Sequence, residues 1–276
     1  MQVLGIAGPS DAGKTTLVER LTARLSERGA VATVKHLRTK PTVDTEGKDT
    51  ARHRAAGAAV TYGVTDDAGW FATGDERTLD GTLADLAPEF DYALVEGYSA
   101  AAIPTVALAG RAHAGETVLA AEDADAVDLG ELLAAVEDPE PYETLGSLVA
   151  DVKRSEAAEY AGAIATFTGR VRRKEDPDDE PTESLEFEKY EGVADERMAT
   201  IREELTAREG VRAVRLHHRT GVVESGEDIV FVVVLAGHRE EAFETVSDGI
   251  DRLKDEVPLF KKEVTVEEEF WRHERE

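Results

Sequence analysis

The sequence contains no cysteine, few lysines and little aromatic content. Without cysteine there is no disulfide framework, no thiolate nucleophile and no cysteine-ligated metal. Only ten of the 32 basic residues are lysine, and aromatic residues make up 6% of the chain. No run of about 18 apolar residues and no charged-then-apolar leader occurs. The sequence therefore predicts a cytoplasmic protein with no membrane partner.

Acidic residues outnumber basic residues along the whole chain. Asp and Glu number 58 against 32 Lys and Arg, which gives a formal net charge of −26. Such a charge repels phosphate backbones, so the sequence predicts no nucleic-acid partner. An acidic, lysine-poor composition favours a halophilic protein, because concentrated salt screens like charges within a few ångströms.

A glycine-rich loop lies near the start of the chain. The apolar run 3–7 is followed by Gly8, four residues and then Gly13-Lys14-Thr15, and Leu17, Leu21 and Leu25 continue with helical spacing. Strand, loop and helix in this order predict a P-loop that binds nucleotide phosphates, with Mg²⁺ on the Thr15 hydroxyl. The predicted nucleotide-binding residues are Gly8, Asp11, Ala12, Gly13, Lys14, Thr15 and Thr16.

Further polar residues follow two predicted strands. Residues 30–34 form an apolar run that ends at Lys35 and His36, and residues 91–95 end at Glu96. Because ligands of open α/β sheets bind at the carboxyl ends of the strands, these residues are predicted to face the nucleotide. Glu96 is a second group expected to be associated with Mg²⁺.

The segment from Asp44 to His53 has no apolar periodicity. We therefore predict a mobile, nucleotide-sensing loop here. Asp44, Lys48 and Asp49 are its candidate site residues.

The length of 276 residues suits two domains. A linker is predicted at 139–146, because Pro139 and Pro141 cannot continue a helix. The predicted fold is α/β overall, with a P-loop NTPase domain with a mostly parallel sheet at 1–138. An α+β domain is predicted at 147–276, where strand-like and helical patterns are mixed.

The first half resembles molybdopterin-guanine dinucleotide biosynthesis protein B. The resemblance rests on residues 8–16, Val34-Lys35-His36, the pattern from Asp44 to His53, and Val95-Glu96-Gly97. It implies a weak GTPase that binds GTP with Mg²⁺ and assists nucleotide attachment to molybdopterin, with nucleotide-attaching enzymes as partners. The sequence has no Asn-Lys-x-Asp motif, so the guanine preference comes only from the resemblance.

Cationic residues in the second half cluster around its last predicted helix. His238 and Arg239 precede the helix and predict an anion site at its N-terminus. Lys254 lies shortly before Pro258, and Lys261 and Lys262 lie after it, so a chain reversal there would bring the lysines to one rim. The simpler alternative is that these lysines have no role in binding or catalysis and only offset part of the negative charge of the chain.

The second half resembles the large subunit of molybdopterin synthase. The resemblance rests on Arg172, His218-Arg219-x-Gly221, His238-Arg239 and the segment 253–263, with Trp271 beyond it. It implies a hammerhead-like α/β fold in which Arg172, His238, Arg239 and Lys262 bind substrate and Lys254 and Lys261 are catalytic. It also implies a homodimer without a bound metal in this domain. An acidic segment at 173–181 and Phe260, where tryptophan is usual, depart from the family pattern.

Together the halves predict a fused enzyme of molybdenum cofactor biosynthesis. Its second domain would convert cyclic pyranopterin monophosphate to molybdopterin with sulfur from a thiocarboxylated ubiquitin-like small subunit. One alternative is a GTP-dependent scaffold that binds the ubiquitin-like partner without sulfur transfer. A small-molecule kinase is a further alternative, but the sequence has no recognisable phosphoryl-acceptor site.

Overall fold

The computed structural model describes residues 1–39, 41, 47–190 and 192–265, together with the backbone of 269–272. The chain divides into two compact units, Met1–Tyr142 and Glu143–Glu276. None of the helices in these residues is both long and apolar enough to span a bilayer.

The first unit is built on a five-stranded sheet. All of its strand pairs are parallel, in the order β2-β5-β1-β6-β7. This arrangement confirms the predicted parallel sheet of the first domain. Its elements are β1 (Gln2–Ala7), α1 (Lys14–Leu25), β2 (Val31–Lys35), α2 (Asp49–Ala55), β3 (Val60–Val64), β4 (Trp70–Gly74), α3 (Leu79–Leu86), β5 (Tyr92–Glu96), β6 (Thr105–Leu108), β7 (Thr117–Ala121) and α4 (Leu129–Ala135).

Apolar residues of α1 cover one face of this sheet. Leu17, Leu21 and Leu25 are fully buried, because their spacing places them on one side of the helix. They pack in one cluster with Leu4 and Leu94 of the central strands. The core thus fixes the start of α1 above the carboxyl ends of β1 and β5.

Two features of the first unit differ from the sequence predictions. The described part of the predicted loop 44–53 contains α2, whose last turn carries Arg52, His53 and Arg54, cations that favour a helix C-terminus. Asp44 lies outside the described residues. The antiparallel hairpin β3-β4 and helix α3 were not predicted.

The second unit begins within the predicted linker. Helix α5 (Leu145–Arg154) starts where Thr144 and Ser147 form a reciprocal capping box. The remaining elements are a 3-10 helix (Glu156–Tyr160), β8 (Ala163–Arg170), β9 (Thr182–Lys189), α6 (Val193–Thr206), β10 (Val211–His218), β11 (Gly221–Glu224), β12 (Asp228–Ala236), α7 (Arg239–Glu256), β13 (Leu259–Thr265) and β14 (Glu269–Arg272).

Strand β12 is buried on both faces. It lies between β10 and β8 in an antiparallel sheet. Val232 and Val234 pack in the cluster that includes α6 and α7, whereas Val233 and Leu235 pack with α5. Helices on both faces explain why β12 is a continuous apolar run. The antiparallel sheets and helices confirm the predicted α+β class.

A second antiparallel sheet has the order β11-β9-β13-β14. The sequence did not predict β13, because Lys261 and Lys262 interrupt its apolar pattern. Pairing along β9 nevertheless holds it in register, with Lys261 opposite Phe187 and Lys262 opposite Glu186.

Candidate functional site

The glycine-rich loop leads into α1 with the geometry of a phosphate cradle. Gly13 precedes the helix with φ of 76°, and a Cβ there would lie 2.8 Å from the Ala124 Cβ. Only glycine suits this position. Lys14, Thr15 and Thr16 form the first turn, and Lys14 Nζ donates to the Pro9 carbonyl oxygen at 2.6 Å. Gly8, Asp11 and Ala12 lie in the loop before it.

Thr15, Lys35 and Glu96 form one polar network at the ends of β2 and β5. The Thr15 hydroxyl lies 3.1 and 3.2 Å from the two Glu96 carboxylate oxygens. Lys35 Nζ lies 2.9 Å from Glu96 Oε1 and 3.2 Å from Thr15 Oγ1. Glu96 is buried, with 9% of its surface exposed, so its charge requires these partners.

The Thr15 hydroxyl and the Glu96 carboxylate are hard oxygen ligands of the kind Mg²⁺ prefers. They lie together beside the loop, and on this observation the residues fit a Mg²⁺-bound nucleotide. The described residues contain no group of three or more His, Cys, Asp and Glu side chains able to hold a metal by themselves. A metal here would therefore share its coordination with phosphate and water.

The other candidates of the first unit lie around this network. The His36 ring contacts the Tyr98 ring at 4.6 Å, and Gly97 has φ of 93°. A Cβ on Gly97 would lie 2.8 Å from the His36 Cβ, so glycine allows the two strand ends to approach. Lys48 is exposed at the start of α2, and Asp49 pairs with Arg52 of the same helix at 3.6 Å.

The second unit contains a cavity of about 1110 Å³. Three of the predicted residues, Arg172, Lys254 and Lys261, line it. Phe167, Leu185, Phe187 and Leu253 contribute an apolar wall. A cavity with an apolar wall and a few cations suits a ligand that combines a ring system with an anionic group.

Strand alternation decides which lysines reach this cavity. Lys261 lines the cavity together with Leu259 and Glu263, because alternate residues of a strand face the same side. Lys262 is not among the lining residues, and its ammonium lies 3.7 Å from the Glu186 carboxylate across the sheet. The structure therefore does not place Lys262 with the other two lysines.

His238 and Arg239 also lie away from the cavity lining. Both are exposed at the beginning of α7, whereas Lys254 lies near its end. The 15 residues from Arg239 to Lys254 correspond to about 22 Å along the helix axis. Within one chain, these residues and the lysines do not form a single site.

Acidic residues surround the cations of the cavity. Arg172 pairs with Glu175 at 3.0 Å, in the segment that departs from the family pattern. The charged lining residues are Arg170, Arg172, Lys174, Lys254 and Lys261 against Glu175, Asp176, Asp179, Glu180, Asp255, Glu256 and Glu263. Acids outnumber basic groups, so dissolved cations are expected to contribute to the electrostatics of this cavity.

His218 is a cavity residue to which sequence reasoning gave no role. Its side chain is buried, its Nδ1 lies 2.7 Å from the Arg219 carbonyl oxygen, and its ring meets the Phe187 ring edge-on at 4.8 Å. Burial lowers the pKa of His218 to about 4. The imidazole is thus neutral near pH 7, and the carbonyl contact fixes the proton on Nδ1. Its position at the end of strand β10 was the signal available in the sequence.

Comparison with known proteins gives two family matches, one over most of the first compact unit and one over most of the second. The model of molybdopterin guanine dinucleotide synthesis protein B matches residues 3–134. The model of the MoaE protein matches residues 142–256.

Individual relatives match either the whole chain or part of it. A probable molybdopterin synthase of Haloferax volcanii is 57% identical over 275 residues and covers 100% of both chains. The catalytic subunit of molybdopterin synthase from Pyrococcus abyssi is 40% identical over 110 residues, which are 40% of this chain and 73% of that protein. A crystal structure of molybdopterin synthase from Staphylococcus aureus has 29% identity and a TM-score of 0.43, and covers 49% of this chain and 93% of that chain.

Proposed function

This chain belongs to the molybdopterin synthase family and functions in molybdenum cofactor biosynthesis, and on that premise we propose a division of labour between its units. The second unit converts cyclic pyranopterin monophosphate to molybdopterin, using sulfur from a thiocarboxylated ubiquitin-like small subunit. The first unit binds GTP with Mg²⁺ and assists nucleotide attachment to the cofactor. The comparisons give no support for a scaffold without catalysis.

The observation that carries this proposal is the cavity shared by Arg172, Lys254 and Lys261. The precursor combines a fused ring with a cyclic phosphate. The apolar wall offers the ring a surface, and the cations offer charge-assisted hydrogen bonds to the phosphate.

Sulfur transfer places a second requirement on the same cations. The thiocarboxylate sulfur would attack a side-chain carbon of the precursor, and the oxygen that leaves that carbon would need a proton. A lysine ammonium beside the reacting carbon can donate this proton, and its charge stabilises the anion that develops. Water would then hydrolyse the acyl–sulfur bond, returning the partner as a carboxylate and leaving one sulfur on the pterin. A second thiocarboxylated partner would repeat these steps at a second side-chain carbon to complete the dithiolene. We assign these roles to Lys254 and Lys261.

A homodimer would resolve the separation of His238 and Arg239 from the lysines. Because about 22 Å of helix lies between the two groups within one chain, they can contribute to one site only if a second copy supplies one of them. We propose that the start of α7 of one copy provides a phosphate-binding rim for its partner.

The nucleotide role of the first unit rests on the phosphate loop and on the adjacent Thr15 and Glu96 oxygens. Amide groups at the start of α1 and the Lys14 ammonium would hold the phosphates. The glycine-rich loop geometry is common to ATP-binding and GTP-binding proteins, so the GTP preference rests on the family.

Reconstitution tests the synthase function directly. The full chain is mixed at high KCl with thiocarboxylated small partner and cyclic precursor, and dithiolene product is measured. We expect product from the wild type and a loss of about a hundredfold or more for Lys254→Ala, because a charged group in contact with the reacting atoms is removed. Lys153→Ala is the matched control, since Lys153 is exposed on α5 away from the cavity.

The alternatives give different results in this experiment. Product from Lys254→Ala at the wild-type rate would remove the proposed role of that lysine. No product from the wild type, with partner and GTP still bound, would instead support the scaffold function.

A further inference from the structure

The Lys35 ammonium occupies an unusual place in the nucleotide site of the first unit. It contacts both the Thr15 hydroxyl, at 3.2 Å, and the Glu96 carboxylate, at 2.9 Å. These are the two protein groups that fit a divalent metal. A protein cation therefore contacts both of the groups whose oxygens Mg²⁺ would use.

The fold holds Lys35 in this place. Lys35 and Glu96 are the last residues of neighbouring parallel strands and are direct partners in the register. Side chains at matched positions of parallel strands point to the same face. Their contact therefore does not depend on a flexible loop.

The burial of Glu96 gives this contact a physical reason. Only 11% of the Glu96 side chain is exposed, whereas 52% of the Lys35 side chain is exposed. An ionised carboxylate at that depth needs a cation nearby. The Lys35 side chain is half exposed, so its ammonium can move away from Glu96 and remain hydrated in solvent.

We propose that Lys35 is the resident cation of this site and that its ammonium and Mg²⁺ bind to Thr15 and Glu96 in competition. Mg²⁺ displaces the ammonium when a metal-bound nucleotide enters. In the absence of metal, Lys35 stays and supplies positive charge to the phosphates, so nucleotide binding is only weakly metal-dependent. This inference deepens the nucleotide-binding role proposed above and rests on it.

Two measurements on the full chain at constant high KCl test the competition. The first is the affinity for the fluorescent nucleotide mant-GDP, in EDTA and across a Mg²⁺ series. We expect Lys35→Met to lose about tenfold in affinity in EDTA, and to reach half-saturation at about tenfold lower Mg²⁺, because one charge near the phosphates and the metal is removed.

The control variants separate this effect from loss of charge in general. Arg24→Met makes the same charge change at the exposed end of α1 and should alter neither quantity. Lys35→Gln removes the charge but keeps a donor for Glu96, so it should reproduce the Lys35→Met result even if the methionine variant folds poorly.

The second measurement is Mn²⁺ binding to the nucleotide-free chain, followed by electron paramagnetic resonance. Lys35→Met should bind Mn²⁺ about tenfold more tightly than the wild type at one site, through relief of charge repulsion. Addition of Glu96→Gln to that variant should remove the site. This experiment decides the competition even if mant-GDP does not bind, an outcome that would contradict only the proposed nucleotide role.

Two results would overturn the inference. One is Mn²⁺ affinity that is the same in the wild type and in both Lys35 variants. The other is an equal loss of mant-GDP affinity with and without Mg²⁺, which would make Lys35 a simple phosphate ligand.

Discussion

The two units of this chain position their lysines by different means. In the first unit, neighbouring parallel strands bring Lys35 against Glu96, so the ammonium is engaged within the protein. In the second unit, the end of α7 and the alternation of β13 bring Lys254 and Lys261 to the lining of a cavity. The first arrangement is a compact ion network, and the second is a mixed-charge surface around a large volume.

This difference predicts different responses to ligands and salt. A compact network must rearrange before another cation can bind. A metal ion is therefore expected to bind there only by displacing the Lys35 ammonium. A cavity whose acids outnumber its basic groups depends on mobile counterions, so its chemistry is sensitive to ionic strength.

Neighbouring lysines of β13 provide the sharpest test of the cavity. Lys261→Ala should reduce dithiolene formation about a hundredfold, because a charge-assisted contact in the cavity is lost. Lys262→Ala should stay within about threefold of the wild type, because Lys262 does not line the cavity and its ammonium lies near the Glu186 carboxylate instead. Both are measured in the reconstituted reaction. Equal losses in the two variants would show that strand alternation does not determine the reacting lysine.

Because of the two histidines of β10, we expect acidic pH to lower the free energy of unfolding of the second unit and not that of the first. Burial lowers the pKa of both His217 and His218 to about 4. A histidine with a depressed folded pKa contributes stability above its unfolded pKa of about 6.5, and that contribution is lost as the pH falls towards 4. For His218 the loss between pH 7 and 4.5 should be on the order of 2 kcal/mol.

Hydrogen exchange of the full chain, analysed separately for peptides of each unit, measures this effect. His218→Gln should reduce the pH dependence of opening in the second unit and leave the first unit unchanged. The variant comparison removes the opposing effect of carboxylate protonation, which relieves repulsion in so acidic a chain. An unchanged pH dependence in the variant would mean that His218 has the same pKa in the folded and unfolded states.

The smallest expected effect concerns the acidic segment beside the cavity. Glu175→Gln releases Arg172 from its 3.0 Å ion pair and should lower the KM for the cyclic precursor about two- to fivefold at the lowest KCl that preserves the fold. The difference should disappear at high KCl, because salt screens an exposed pair. A KM independent of both the substitution and salt would contradict a counterion-dependent cavity.

Local patterns predicted most of the architecture. The spacing of Leu17, Leu21 and Leu25 predicted α1, and the runs 30–34 and 91–95 predicted β2 and β5. These predictions succeeded because burial imposes a period on the residues of the same element. Strand β13 was missed because its lysines face opposite sides of a sheet, and that pattern has meaning only once β9 is paired with it.

The motifs identified candidate site residues, but they could not predict which of these residues lie together in one site. The motif containing His238 and Arg239 and the one containing Lys254 occur close together in sequence, but they lie near opposite ends of helix α7. His218 carried no motif-based role, because its burial and its contact with Phe187 arise from two different strands.

The sequence by itself determined the composition, the phosphate loop and the two-part family assignment, since each depends on residue type and short-range spacing. The tertiary structure decided which charges meet: Lys35 lies on the Thr15 and Glu96 oxygens, Lys261 lines the cavity, and Lys262 does not. The physical reason is that electrostatic contacts depend on distances of a few ångströms between elements far apart in the chain. Only the register of packed strands and helices sets those distances.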